Sequence, residues 1–528
     1  MRGMELRYYQ REARDAVLAE WAKGHRKTMA CLPTGTGKTI IFSSILQERM
    51  KNPARRGLIL AHRGELLTQA ADKLQKATGL TAALEKAECS SLGAPERVTV
   101  GSVQSLAREN RLARFPKSYF TDIILDECHH ALSDSYQRVL GHFDGASVLG
   151  VTATPDRGDR RALGEYFESL AYEYTLDQAI ADGFLVPIRA QLIPLRVDLT
   201  RVRVQNGDYA AGDLGDALDP YLERIALEMK KYCADRKTVV FLPLVATSRR
   251  FCEILNANGI RACEVNGDSP DREQILRDFD QNRYQVLCNA MLLTEGWDQP
   301  DVDCVVVLRP TKVRSLYQQM VGRGTRLSPG KKDLLLLDFL WMSEKHNLCT
   351  PASLMCPDEE LAKRVDAELK NGGARDLAEA KKAAERDALK EREDSLARQL
   401  EQQRRKKGKL VDPLQFILSI EAEDLASYEP TFRWEFQPPS EKQLNYLEKL
   451  GIERDSVDSM GMASMLISRL KNRMDAGLST PKQIRALERY GFRHVGTWPK
   501  DKACRIMDIL SNNGWKLPRG LNPGTYEP

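Results

Sequence analysis

Short apolar runs alternate with longer stretches of helical periodicity over the first 340 or so residues. The runs include Gly57-Leu58-Ile59-Leu60-Ala61, Val98-Thr99-Val100, Ile123-Ile124-Leu125 and Ser147-Val148-Leu149-Gly150-Val151. Each is bounded by polar or turn-forming residues and is too short for a helix, so it reads as a buried strand. Buried strands alternating with helices predict a doubly wound α/β sheet. The rhythm returns from about residue 191 to 345, with Thr238-Val239-Val240-Phe241, Gln285-Val286-Leu287-Cys288 and Cys304-Val305-Val306-Val307-Leu308 as strands. Two tandem α/β lobes follow, residues 1–190 and 191–345.

Beyond them the pattern changes. Residues 358–410 are dominated by Ala, Glu, Lys, Arg and Leu and end in Arg404-Arg405-Lys406-Lys407, which reads as a charged helical linker within 346–435. The last segment, 436–528, holds an internal repeat at an offset of 40 residues. Lys442-Gln443-Leu444 returns as Lys482-Gln483-Ile484, Leu447-Glu448 as Leu487-Glu488, Gly451 as Gly491, Ala463 as Ala503 and Leu470 as Leu510. Each copy reads as helix, glycine stop, helix. Two copies are too few for a solenoid, so a small all-α domain is expected.

Composition narrows the class. Charged residues make up 29% of the 528, and no apolar run approaches the roughly 18 residues of a membrane span. The start, Met1-Arg2-Gly3-Met4-Glu5-Leu6-Arg7, has no apolar core of a secretory signal. Eleven cysteines are scattered without a C-x-x-C pair, which suits reduced thiols and opposes a zinc cluster. A cytoplasmic protein without a membrane partner is the expectation. Net charge is only +5, which permits nucleic-acid binding without demonstrating it. From Glu441 onward fifteen Lys and Arg face ten Asp and Glu, with Tyr446, Tyr490, Trp498 and Trp515 interleaved. Basic residues with aromatics suit DNA binding or docking of a protein partner.

The chemistry sits between the runs. Thr34-Gly35-Thr36-Gly37-Lys38-Thr39 can turn tightly enough to aim backbone N–H groups at phosphate oxygens, although Leu32 replaces the first glycine of the general P-loop pattern. Lys38 would reach the β- and γ-phosphates of ATP, and the Thr39 hydroxyl would ligate magnesium. Some ninety residues on, Asp126-Glu127 ends an apolar run, at the carboxyl end of a strand, where α/β sheets bind ligands. Asp126 would hold magnesium, and Glu127 would orient and deprotonate the attacking water. In the second lobe Arg323 and Arg326 are spaced one helical turn apart, so both can face one cleft and stabilise transition-state charge.

In their order along the chain these motifs resemble the superfamily 2 helicases over about residues 5–340. The resemblance implies two RecA-like lobes. It makes Leu6-Arg7-Tyr8-Tyr9-Gln10 an adenine-reading element, with Gln10 on the base edge and Arg7 near its face. Ala61-His62-Arg63-Gly64-Glu65-Leu66 and Gly101-Ser102-Val103-Gln104-Ser105-Leu106 match motifs Ia and Ib, with Arg63, Ser102 and Gln104 as nucleic-acid contacts. Asp126-Glu127-Cys128-His129 is a DECH box and Thr152-Ala153-Thr154-Pro155 is motif III, with His129, Thr152 and Thr154 coupling the ATP site to the strand. Leu293-Thr294-Glu295-Gly296-Trp297-Asp298 resembles motif V, where Thr294 contacts the strand and Gly296 and Asp298 shape the ATP cleft. Gln319 through Arg326 is motif VI, which ties Gln319, Arg323 and Arg326 to the P-loop. Gly101 to Leu106, Leu308-Arg309-Pro310-Thr311 and Leu316 to Arg326 look closest to RadD-type bacterial DNA helicases and phage-encoded ones. The cysteine-rich zinc segment of RadD-type proteins is missing, so the motor resemblance transfers and the repair role does not.

The resemblance implies an ATP-dependent helicase or translocase with ATP and magnesium as cofactors. DNA is the favoured partner, and a protein partner could dock on the repeats. An RNA helicase and an ATP-clamped scaffold are the competing readings. A nuclease reading rests on Pro357-Asp358 with Glu368-Leu369-Lys370, and that chemistry needs carboxylates on adjoining strands.

Overall fold

The computed structural model describes every residue except 1–4, 62–63, 87–88, 154–162, 196–201, 206–207, 234, 291–296, 298, 341–347, 357, 371–372, 389–412, 421, 423–424, 426–427, 429, 431, 433, 455–456, 519–520, 524–525 and 527–528. The chain divides into two compact units, Met1–Ala388 and Leu389–Pro528.

The first unit holds two sheets. In lobe 1 the strands are β1 (Lys27–Cys31), β2 (Gly57–Ala61), β3 (Ala82–Glu85), β4 (Val98–Ser102), β5 (Asp122–Asp126), β6 (Ser147–Thr152) and β7 (Ser169–Glu173). All run parallel, in the order β3-β4-β2-β5-β6-β1-β7. Both faces are covered, which is why β2 and β5 read as continuous apolar runs with no alternation. Helices α1 (Tyr8–Ala22), α2 (Lys38–Arg49), α3 (Gly64–Thr78), α4 (Val103–Leu106), α5 (Glu109–Leu112), α6 (Asp134–His142) and α7 (Leu176–Ala181) complete the lobe. Tyr9, Ala13 and Val17 of α1 are buried at four-residue spacing, the mark of one helix face on a core.

Lobe 2 is built from β8 (Ile188–Pro194), β11 (Thr238–Phe241), β12 (Ala262–Val265), β13 (Val286–Asn289), β14 (Cys304–Val307), β15 (Leu334–Leu340) and β16 (Arg375–Asp376), after a hairpin of β9 (Val204–Gln205) and β10 (Asp208–Tyr209). Its order is β12-β13-β11-β14-β15-β8-β16, parallel except for the edge strand β16. Its helices are α8 (Ala211–Leu218), α9 (Leu222–Tyr232), α10 (Val245–Ala257), α11 (Arg272–Asp280) and α12 (Arg314–Gly322). Because β8 starts at Ile188 and pairs with β15 along its whole length, the chain enters the second sheet just ahead of residue 191.

The charged segment after lobe 2 differs from a solvated linker over its first part. Helix α13 (Glu359–Lys370) and a helix over 377–388 bury Val365, Leu369, Leu377, Ala380 and Ala384 in the lobe 2 core. Their apolar residues fall on one face, so a charged composition still makes an amphipathic, packed helix. Asp358 accepts backbone N–H groups of Glu360 at 2.8 Å and Leu361 at 3.0 Å. It is the cap of α13, and Glu368 lies on that same helix, so the two carboxylates are not on adjoining strands.

The second unit contains α14 (Pro413–Ser419), α15 (Glu441–Leu450), α16 (Met460–Asp475), α17 (Pro481–Glu488) and α18 (Lys500–Asn512). Both repeat copies start with the same capping box, Ser440 with Gln443 and Thr480 with Gln483. The first copy's leading helix is capped by the left-handed Gly451, at φ +100°, and in the second copy the left-handed Gly491, at φ +94°, comes three residues after α17 ends. Trp498 is buried, whereas Trp515 is half exposed. Phe416 and Ile417 of α14 join Leu447, Leu487 and Leu510 in one core, so that core begins ahead of residue 436.

Candidate active site

Three neighbouring strand ends form the floor of the site. Cys31 closes β1 opposite Thr152 of β6, and Asp126 closes β5 opposite Val151. The loop after β1 therefore stands two strands from Asp126, with Thr152 between them. Thr152 is buried, and its carbonyl accepts the Leu32 N–H at 3.0 Å.

Gly35 and Gly37 shape the loop, with φ of +93° and +83°, the left-handed region that glycine enters without strain. Gly37 is the N-cap of α2, so Lys38 and Thr39 occupy its first turn and its free N–H groups face the loop. Thr36 is buried and donates its hydroxyl to the Pro33 carbonyl at 2.7 Å. From α1, Gln10 Nε2 and the Tyr9 hydroxyl both donate to the Thr36 carbonyl, at 3.0 and 2.7 Å. Gln10 Oε1 accepts the Arg7 N–H at 3.0 Å. The expected base-reading element is thus fastened to the phosphate loop. Arg7 stands 4.8 Å over the Phe184 ring, beside Tyr9, which stacks on Tyr174 at 4.4 Å. Tyr174 and Phe184 lie in no motif, and only the fold brings them here.

Lys38 Nζ lies 3.6 Å from Glu127 Oε1, and both side chains are largely buried. Among the described residues Lys38 Nζ and Glu127 Oε2 have no hydrogen-bond partner. A sheltered ammonium with unused donors faces a sheltered carboxylate with an unused acceptor. Glu127 is itself left-handed, at φ 55°, and donates its N–H to Asp126 Oδ1 at 3.1 Å. His129 Nδ1 sits 3.5 Å from Glu127 Oε2.

Electrostatics separate the two carboxylates. Burial and then the neighbouring Glu127 charge push Asp126 up, against the opposing pull of Lys38. Burial would also raise Glu127, but Lys38, His129, His130 and Arg323 together outweigh it and hold it below its usual range. A hydroxyl at Thr39 and a carboxylate at Asp126 are hard oxygen donors, and Asp126 carries an anionic charge that a cation would relieve, so the residues fit magnesium.

Lobe 2 closes the other side. In α12 the side chains of Gln318 and Gln319 are buried, and Arg323 caps the helix and donates Nη1 to the Trp297 carbonyl at 2.6 Å. The helix ends there, so Arg323 and Arg326 do not share a helical face as their spacing suggested. Just past the helix, Gly324 lies close against β14 and β15: a Cβ there would clash with Leu334 and stand 3.1 Å from Val305. Arg326 still reaches the site, since its Cγ lies 3.2 Å from where a Gly35 Cβ would be, and burial lowers its pKa. Thr325 accepts the Val186 N–H at 2.9 Å, which joins motif VI to the segment between the lobes.

Ser102 and Gln104 lie at the end of β4 and in α4, and the Ser102 hydroxyl donates to Gln104 Oε1 at 2.8 Å. Arg63, Thr154, Thr294, Gly296 and Asp298 lie outside the described residues.

Residues 3–157 match the family "Type III restriction enzyme, res subunit", and residues 221–328 match "Helicase conserved C-terminal domain". Both lobes belong to the superfamily 2 helicases, as the motif order indicated. The chain is 31% identical over 369 residues to "Putative ATP-dependent helicase IRC3" of Saccharomyces cerevisiae, covering 66% of this chain and 53% of that protein. It is 32% identical over 381 residues to "Putative mitochondrial ATP-dependent helicase irc3" of Schizosaccharomyces pombe, covering 67% and 61%. The chain thus spans a little over half the length of these relatives. A solved fragment of "a putative HsdR subunit of a type I restriction enzyme" from Vibrio vulnificus is 25% identical, with a TM-score of 0.52 and 67% of each chain covered. The narrower likeness to RadD-type proteins rests on the motif spellings alone. Among the described residues no helix is long and apolar enough to cross a membrane.

Proposed function

We propose that this chain hydrolyses ATP to drive movement along, or unwinding of, nucleic acid, with DNA as the substrate. The observation that carries the reading is the buried Lys38 ammonium, 3.6 Å from Glu127, at the mouth of a helix whose loop is shaped by two left-handed glycines. That cradle suits the β- and γ-phosphates. Lys38 and the α2 N–H groups bind and neutralise the phosphates. Glu127, held ionised by the cations around it, orients a water in line with the γ-phosphorus and takes its proton. Thr39 and Asp126 would hold magnesium, which supplies charge neutralisation to the phosphates when bound. Arg323 and Arg326 reach over from lobe 2 and stabilise charge on the transferring group, an effect worth roughly 10³–10⁵ in rate where it has been isolated. Each cycle of closing and reopening shifts the two lobes along a strand gripped through its phosphates, with Ser102 and Gln104 among the contacts and His129 and Thr152 relaying the state of the site.

The kinship with a restriction-enzyme subunit favours DNA over RNA. Junctions met in repair or replication are the proposed substrates, with a protein partner on the repeat unit. The cytoplasm is the proposed compartment, although the fission-yeast relative is named as mitochondrial. Steady-state ATPase with no nucleic acid, single-stranded DNA, duplex, forked DNA and RNA tests the reading. DNA should stimulate more than RNA, Lys38→Ala should abolish turnover, and Glu127→Gln should bind ATP without hydrolysing it. Full turnover in Lys38→Ala would remove the assignment.

A further inference from the structure

Between the lobes, beside the phosphate loop, lies a small cavity of about 20 Å³, with an open mouth. Pro33, Thr34 and Ala153 line it from lobe 1, and Gln318, Gly322 and Thr325 from lobe 2. Most of the lining is apolar. Two of its lining residues carry a buried polar atom, the Thr34 hydroxyl and the Gln318 side-chain carbonyl. Both are shut off from solvent, and neither has a hydrogen-bond partner among the described residues. Gln318 as a whole is only 8% exposed.

A buried amide oxygen without a donor is costly, and native proteins rarely keep one without a use. Here one orphan sits on each lobe, and the two are complementary. A threonine hydroxyl can donate and a glutamine carbonyl can only accept. Neither residue's neighbours give a local explanation. Tyr317 turns the other way and donates to Asp338 in the lobe 2 core. Thr36, two residues from Thr34, has its own acceptor in Pro33.

We propose that Gln318 is a positioning residue for ATP hydrolysis. Its carbonyl is joined to the Thr34 hydroxyl across the lobe boundary by a hydrogen-bond bridge through water in the cavity they share. Thr34 belongs to the loop that cradles phosphate, and Gln318 belongs to the helix that ends in Arg323. The bridge therefore ties the set of the phosphate loop to the set of the arginines. It acts on the rate of the chemical step more than on capture of nucleotide, because it exists only with the lobes together. The inference rests on the ATPase reading above.

The test is a double-mutant cycle with Thr34→Val and Gln318→Met, each close to isosteric and lacking the polar group. Wild type and Lys38→Ala are run first, so that absence of wild-type turnover is recognised as failure of the ATPase reading itself. With turnover present, each single variant should lose about tenfold in kcat with KM for ATP within about threefold of wild type. The double variant should be no more than about twofold slower than either single, because the second change removes a bridge already broken. Thr34→Ser, which keeps the hydroxyl, should lose less in kcat than Thr34→Val. Multiplying losses in the double variant, or wild-type kcat in Gln318→Met, would overturn the proposal. If the wild type does not turn over, the same cycle is read on thermal unfolding midpoints, where independent, additive shifts overturn it and a shared shift supports it.

Discussion

Thr34 of the phosphate loop lies directly against Gly322, the last residue of α12: a Cβ added to Gly322 would stand 2.7 Å from Thr34 Cβ and 3.0 Å from its Cγ2. Nothing flexible stands between them, because the atom met is a Cβ fixed to its own backbone. Gly322→Ala should therefore hold the lobes apart while leaving each folded. A displacement of about 1 Å at the arginines can cost about 10² in rate, and a loss of that order in kcat is expected. Gly212→Ala is the control, since nothing lies within 4 Å of its Cβ in α8. That variant should keep its rate and gain up to about 1 kcal/mol of helix stability. An unchanged rate in Gly322→Ala would show that the lobes hydrolyse ATP without this contact.

Much of the site was legible in the sequence because its chemistry is local. Thr34 to Thr39 needs only two glycines and a following helix, and Asp126-Glu127 needs only a strand to end. The aromatic surround of Arg7 was not legible, because Tyr174 and Phe184 reach Tyr9 only through the pairing of β7 beside β1. Spacing placed the two arginines one turn apart on a helix, whereas the helix ends at Gly322, ahead of both. Composition misread 359–388, where charge hid the stripe of Val365, Leu369 and Leu377 that faces the core. In the repeat unit the identical spacing was enough, and the fold keeps it down to the side chains. Gln443 donates to Ser464 at 2.9 Å and Gln483 to Cys504 at 3.1 Å, partners again 40 residues apart.

A buried carboxylate sets the stability of lobe 1. Asp122 opens β5 with its side chain fully buried, and it accepts from Arg49 Nε at 2.6 Å, from Arg55 Nη1 at 3.0 Å and from the Thr121 hydroxyl at 2.6 Å. Removing one side of such a group leaves the other side's charge poorly compensated. Asp122→Ala should destabilise lobe 1 by about 3–5 kcal/mol, read as the shift of a urea unfolding curve. A change under about 1 kcal/mol would show that water reaches both arginines and replaces the carboxylate.

Lobe 2 should respond to pH through Asp338. Burial raises this carboxyl to about 7, against the lowering donor from Tyr317 at 2.6 Å and with the raising charge of Asp366 nearby. The folded state then binds the proton more tightly than the unfolded chain, whose aspartates titrate near about 4. Stability from this group is present in full below about 4 and is lost as pH rises through about 7. Asp338→Asn removes the titration and keeps an acceptor for Tyr317. The difference in unfolding midpoint between variant and wild type should favour the variant more at pH 8 than at pH 5.5. A difference that does not move with pH would show that Asp338 titrates normally in the folded protein.

The most informative truncation follows from where the second unit's core begins. A cut that starts the repeat unit at residue 436 looks natural from the sequence, because the first capping box begins at Ser440. Phe416, Ile417, Ala422 and Leu425 nevertheless pack with Leu447, Ile484, Leu487 and Trp498, and the Gly496 N–H donates to the Ser419 hydroxyl at 2.8 Å. Ending the motor at residue 435 would leave those four apolar side chains on a chain with no core to cover them, a known hazard for association. Ending it at Ala388 removes them with their partners and keeps the 377–388 helix in the lobe 2 core. Residues 1–388 should therefore elute as a monodisperse species and retain basal ATPase, whereas 1–435 should aggregate on size-exclusion chromatography at equal concentration. Residues 389–528 should in turn unfold cooperatively when produced alone, and Thr480→Ala should lower that stability by about 1 kcal/mol through loss of its cap on α17. Equal behaviour of the two motor fragments would place Phe416 and its neighbours outside the core of the repeat unit in solution.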